Sequence, residues 1–227
     1  MLISRRLIIC IAALFVFALS PYSVIVLQAK QPAEKAAAET LKLAEQGDRE
    51  AQFRMNIMYA KGYGVPKNLS ESAKWLRMSA EGGLAIAQHV LGDNYVAGIN
   101  GFPQSYKEAF KWLQLAAVQN DPDAQTSLGW LYMYGRGVEQ DFVTAAKWLQ
   151  LAADQNVGPA QSSLGVLYAV GKGVERDIVK AYTLFKLAGP YVIGAKESIR
   201  VISESMTAEQ IKAGERLAEH WKSTHSW

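Results

Sequence analysis

The sequence predicts an all-α protein, a right-handed α–α superhelical solenoid of four helix pairs closed by capping helices at both ends. Three observations predict it. The pair Ala-Gln occurs at Ala51-Gln52, Ala87-Gln88, Ala124-Gln125 and Ala160-Gln161, at spacings of 36, 37 and 36 residues. A second marker, Trp75-Leu76, Trp112-Leu113, Trp148-Leu149 and then Leu184-Phe185, keeps step at spacings of 37, 36 and 36. Between the two markers a glycine punctuates every copy, at Gly62, Gly98, Gly135 and Gly171. Self-similarity at such a period marks an array whose units cannot cover their own apolar faces and bury them against their neighbours.

The first 29 residues differ from the rest. Arg5 and Arg6 precede an apolar run from Leu7 to Leu19, and no acidic residue appears before Glu34. A basic n-region and an apolar h-region read as an export signal. Two outcomes stay open: cleavage after Ala29, behind a poor Leu27-Gln28-Ala29 site, or retention of Leu7–Leu27 as a span of 21 residues, about the length that crosses a bilayer. In either case the array is expected outside the cytoplasm. Cys10, the single cysteine, lies in this run, so the remainder can form no internal disulfide and no thiolate site.

Residues 30–32 read as a linker, and Ala33–Gln46 as a helix covering the open end of the array; together, 30–47 form the N-terminal cap. The solenoid occupies 48–189, with repeats at about 44–79, 80–116, 117–152 and 153–188. In each first helix an alanine, an apolar residue and a tyrosine stand at i, i+4 and i+8, as in Ala124, Leu128 and Tyr132, and so share one stripe. Gly92, Gly129 and Gly165 follow the central leucine; a glycine inside a helix is unfavourable by about 1 kcal/mol and implies a close neighbour. The glycines past each first helix can adopt positive φ and stop it. Three copies continue as Gly-x-Gly-Val, which without a preceding strand is punctuation rather than a phosphate loop. Asn68, Ser105, Asp141 and Asp177 are expected N-caps of the second helices, with Glu71 and Glu108 completing capping boxes. Ala145, Trp148, Leu149 and Ala152 give the second helix its buried face. The turn of copy two, Gly98 to Pro103, carries one extra residue, read either as a tolerated insertion or as part of a binding edge. Residues 190–227 are expected to cap the far end, with a short helix over Gly194–Ser203 and a last helix opened by Thr207-x-x-Gln210 that presents Ile211, Leu217 and Trp221.

The unit A-Q-x-x-L-G-x-x-Y-x-x-G-x-G-V followed by A-x-K-W-L-x-x-A-A resembles the SEL-one-like repeat (SLR), a relative of the tetratricopeptide repeat (TPR) with a longer loop. The resemblance covers about residues 44–189, with Asn56 in place of a glycine and Leu184 in place of a tryptophan. It implies an interaction scaffold, because proteins of that family generally act as adaptors and assembly platforms.

Chemistry is sparse. His89, His220 and His225 are the only histidines, and none belongs to an H-E-x-x-H pattern. No nucleophile elbow and no P-loop is present. No catalytic residue, metal ligand or cofactor is therefore assigned. Without the two leader arginines the chain holds 22 basic and 21 acidic residues, which gives no basic stripe for nucleic acid. The expected partner is a protein of the cell envelope, with membrane contact only through residues 7–27 if the leader is kept. Positions two and six after each repeat alanine vary while the stripe does not, which suggests surface: Phe53 and Ile57, His89 and Asp93, Thr126 and Trp130, Ser162 and Val166. Of these, Phe53, Ile57, His89, Asp93, Trp130 and Val166 are the candidate partner-binding residues, with Trp130 the expected anchor. A hydrolase or glycan-binding protein using the same face, and a secreted factor meeting host proteins, are the alternatives.

Overall fold

The structure, a computed structural model, describes residues 21–190 and 192–224, and side chains from residue 32 onward. The expected leader therefore lies mostly outside the described residues. Among those described there are eleven helices and no strand: α1 (Pro21–Glu45), α2 (Arg49–Lys61), α3 (Leu69–Glu81), α4 (Ala85–Ala97), α5 (Tyr106–Ala117), α6 (Pro122–Tyr134), α7 (Phe142–Asp154), α8 (Gly158–Val170), α9 (Ile178–Ala188), α10 (Ala195–Ser203) and α11 (Ala208–Thr224). No helix among the described residues is long and apolar enough to cross a membrane. The chain divides inside α3 into two compact units, residues 1–76 and 77–227.

In the first unit α1 packs on α2. The predicted linker at 30–32 is helix instead: α1 runs through Pro32 without a break. Proline removes one backbone donor from a helix, and here the alanine-rich segment on its C-terminal side carries the helix on. Ala37, Ala44, Ala51 and Met55 are buried at the contact. Asn56, standing where other copies have glycine, is buried and donates from Nδ2 to the Ser72 carbonyl (3.0 Å) and hydroxyl (2.8 Å).

In the second unit successive helices pack in antiparallel order from α4 to α9, and α10 and α11 both close on α9. The predicted stripe is the core: Ala87, Leu91, Ala124, Leu128, Ala160 and Leu164 are buried, with the tyrosines at its edge. The helix glycines answer to close approach. A Cβ on Gly92 would lie 2.6 Å from Leu113 Cγ, on Gly129 2.7 Å from Leu149 Cγ, and on Gly165 2.8 Å from Phe185.

All four expected N-caps form. Asn68 accepts from the Ser70 and Glu71 N–H groups, Ser105 from Glu108, Asp141 from Val143 and Thr144, and Asp177 from Lys180. The capping boxes expected of Glu71 and Glu108 do not, because the N–H they would accept from is already used. In every copy the cap residue's backbone N–H donates to the tyrosine carbonyl of the first helix (Tyr59, Tyr95, Tyr132, Tyr168), at 2.9–3.0 Å. This bond ties the two helices of each pair across the turn. The box at Thr207 is complete: Thr207 N–H donates to Gln210 Oε1 (2.9 Å) and Gln210 N–H to Thr207 Oγ1 (3.2 Å).

The invariant glutamine of each Ala-Gln pair has a role not visible in the sequence. Its Nε2 donates to a carbonyl eight residues back, at the end of the preceding helix: Gln52 to Ala44, Gln88 to Ala80, Gln125 to Ala117 and Gln161 to Ala153. These amides are buried. In the second unit the chain of bonds continues, with Gln119 donating to Gln88 Oε1 (2.7 Å) and Gln155 to Gln125 Oε1 (2.9 Å). Gln161 Oε1 has no donor among the described residues.

The terminal helix corrects one expectation. Leu217, placed on the packed face, is 51% exposed; Gly214 and Ala218 are buried instead. A Cβ on Gly214 would stand 2.7 Å from the Tyr182 ring. Tyr182 thus sets which face of α11 docks, and it admits only the smallest side chain.

Candidate interaction groove

The first helices of the second unit are linked by side chains at fixed offsets. Ser127 Oγ on α6 donates to Asp93 Oδ1 on α4 (3.1 Å). Trp130 Nε1 on α6 donates to Ser163 Oγ on α8 (2.8 Å), whose hydroxyl donates to the Pro159 carbonyl (2.9 Å). In both pairs the residue six beyond one repeat alanine meets the residue three beyond the next. Asp93 is also held by His89 Nε2 (3.1 Å), while His89 Nδ1 lies 3.5 Å from Asp121 Oδ1. Asp121 caps α6 by accepting from Ala124 N–H (2.8 Å). Burial works against a charged imidazole here. The Asp93 hydrogen bond and the negative charges of Asp93, Asp121 and Asp123 outweigh it, and hold the His89 pKa above its ordinary 6.5.

Between α4 and α6 lies a groove of ≈ 370 Å³. Asp93, Ile99, Tyr106, Trp130, Tyr134 and Arg136 are among its walls. Trp130 is 37% exposed and its indole N–H is already bonded, so the ring is a fixed apolar surface. Tyr134 and Ile99 are more exposed still. The turn of copy two has one buried aromatic residue and one open apolar one. Phe102 is buried against Tyr95 with ring centroids 5.1 Å apart, while Ile99 of the same loop lines the groove. Arg136 stacks on Tyr106 and Tyr134, 5.2 and 5.6 Å from their centroids.

Of the six residues named from the sequence, Asp93 and Trp130 line this groove. His89 stands behind Asp93 rather than as a solitary surface residue, its side chain 15% exposed. Val166 lines a different groove, of ≈ 360 Å³, with Arg176 and Val201. Phe53 is half-buried and Ile57 exposed, both in the first unit. Thr126, grouped with the varying surface positions, is buried and donates to the Pro122 carbonyl (2.9 Å); its hydroxyl finds a partner within the helix, so burial is tolerated. Sequence reasoning missed Tyr106, Tyr134 and Arg136. A signal existed: the middle residue of Gly-x-Gly is cationic in two copies, and each cation covers the aromatic residue thirty positions earlier, Arg136 on Tyr106 and Lys172 on Phe142. Among the described residues no three His, Cys, Asp or Glu side chains form a group that could hold a metal ion.

Paired helices, glycine turns at positive φ and a groove along the first helices define an α-solenoid repeat protein. The Sel1 repeat profile matches residues 49–84, 85–121, 122–157 and 158–189, each match beginning at or beside the first residue of a first helix. The chain belongs to the Sel1 repeat family. Among solved structures it is similar to a protective antigen present in uropathogenic Escherichia coli strains that displays an SLR fold (34% identity, TM-score 0.76, 85% of this chain and 41% of that one). It is also similar to a Sel1 repeat protein from Oxalobacter formigenes (32% identity, TM-score 0.70, 86% and 79%). This chain thus spans about two fifths of the length of the antigen. A Sel1 repeat protein of Klebsiella pneumoniae shares the fold at 21% identity (TM-score 0.51, 83% and 90%). No curated protein matched the chain. The architecture is therefore the SLR solenoid, and proteins of this family are generally protein-interaction scaffolds.

Proposed function

We propose that the protein is an exported, non-catalytic scaffold of the cell envelope that holds a second protein against the α4/α6 groove. The observation that carries this reading is the Trp130 ring, fixed by Ser163 and left uncovered in a groove beside Tyr134 and Ile99. Rigid aromatic groups in a cleft are the usual anchors of protein interfaces. The basic and apolar leader supports export. A photo-crosslinking residue at Tyr134 in growing cells tests the groove, with Val143, exposed on α7, as the control position. A discrete adduct from 134, absent from 143 and lost on Trp130→Ala, is expected. Equal labelling from both positions refutes the reading. N-terminal sequencing of the recovered protein decides between a cleaved leader and a retained anchor.

The likeness to a protective antigen favours a second reading, a secreted factor that meets host proteins. Recovery of the protein from culture medium rather than from the envelope fraction would select it.

A further inference from the structure

The α4/α6 groove contains two opposite charges in different states. Asp93 is satisfied by His89 and Ser127. Arg136 has no ion-pair partner among the described residues. Its guanidinium carbon sits over the Tyr106 and Tyr134 rings. No side-chain N–H of Arg136 is bonded to another described residue, and a guanidinium with its fork of donors free suits bidentate binding of a carboxylate. The side chain is also held there by the stacking, so less rotamer freedom is lost when an anion arrives. Beside it the wall is apolar, formed by Ile99, Trp130 and Tyr134.

We propose that the occupant of this groove is an extended peptide segment with an Asp or Glu next to a large apolar residue. Its carboxylate is gripped by Arg136, and its apolar side chain lies on Trp130 and Ile99. This rests on the reading of the groove as the partner-binding face. Charge complementarity selects the acid: a basic segment would face Arg136 and find Asp93 already engaged, and a wholly apolar one would bury the guanidinium edge without a partner, at a cost.

The test uses the full-length chain and two fluorescein-labelled peptides, Gly-Ser-Leu-Glu-Phe-Gly-Ser and its Gln counterpart, followed by anisotropy at low salt. The Glu peptide is expected to bind at least about tenfold more tightly, as for a charge-assisted pair. Arg136→Gln should bring it down to the level of the Gln peptide and leave the latter unchanged, with Arg136→Lys intermediate and the thermal midpoints of both variants near wild type. If both peptides bind alike and Trp130→Ala weakens both, the carboxylate inference fails while the groove reading stands. If neither peptide binds, or Trp130→Ala changes nothing, both fail. Vesicles rich in phosphatidylglycerol that displace the Glu peptide and bind through Arg136 alone would reassign the site to a lipid surface and overturn the proposal.

Discussion

The turn glycines offer a sharp test, because two of them share a backbone conformation and differ in surroundings. Gly135 and Gly137 have φ of 63° and 74°. Alanine at either position carries the left-handed penalty of about 1–2 kcal/mol, partly offset by the smaller entropy of the unfolded alanine chain, about 0.4–1 kcal/mol. For Gly135→Ala little else changes: the new Cβ would meet Gln140 Cβ at 3.2 Å and its backbone nitrogen at 3.4 Å. For Gly137→Ala it would overlap the carbonyl group of Tyr106 and approach Lys107 N to 2.9 Å. Relief requires moving the first turn of α5 by roughly 1 Å, since carbon contacts settle near 3.5–4.0 Å. Backbone cannot swing aside as a side-chain tip can, so the overpacking term of about 1–3 kcal/mol applies near its upper end. The expectation is a loss of about 1 kcal/mol for Gly135→Ala and about 3–4 kcal/mol for Gly137→Ala. Urea titration of both variants, followed by far-ultraviolet circular dichroism, measures the difference. Hydrogen exchange should place the damage around α5 and α6, as nearest-neighbour coupling in an array requires. Losses equal within about 0.5 kcal/mol, a size ordinary for changes that touch nothing, would show that these glycines only stop helices and that their packing carries no weight.

Two further outcomes follow from the polar ladder. Gln125→Leu removes the acceptor for Gln155 and the donor to Ala117 and Asn120, so it should cost about 1–3 kcal/mol. Gln161→Leu should cost distinctly less, because Oε1 there has no donor among the described residues; urea midpoints of the two variants decide, and a larger loss at Gln161 refutes the account. His89 should make stability depend on pH. Its folded pKa lies above the ordinary 6.5, so the imidazolium's contribution is complete below the unfolded value and is lost as pH rises through the folded one. The stability difference between wild type and His89→Gln should therefore shrink as pH rises above the ordinary value of about 6.5. Parallel curves over that range would remove His89 from the link between α4 and the α6 cap.

What was legible in the sequence had a local or periodic cause. Helix stops at Gly62, Gly98, Gly135 and Gly171, the caps at Asn68, Ser105, Asp141 and Asp177, and the Ala–Leu stripe each depend on a few neighbouring residues, and each recurs. The exceptions each had a competitor outside the local window. Glu71 and Glu108 lost their capping role to a tyrosine carbonyl in the preceding helix. Leu217 gave way to Gly214 and Ala218 because Tyr182 occupies the space. The linker expected at 30–32 is absent because the residues on either side of Pro32 sustain one helix. In the groove, Trp130 and Asp93 could be found by their variation against an unvarying stripe. For Arg136 and Tyr106 the sequence held only the thirty-residue spacing of cation and aromatic, which acquires meaning once the turn folds back over the preceding helix.

By itself the sequence determined the period, the pairing of helices, the residues that fill the core and the family, because repetition states the same local physics four times. Only the tertiary structure decided which side chains outside the core meet. Trp130 reaching Ser163, His89 reaching Asp121, and Arg136 lying over Tyr106 are contacts between successive copies. Their geometry is set by how one helix pair stacks on the next, which no single repeat encodes.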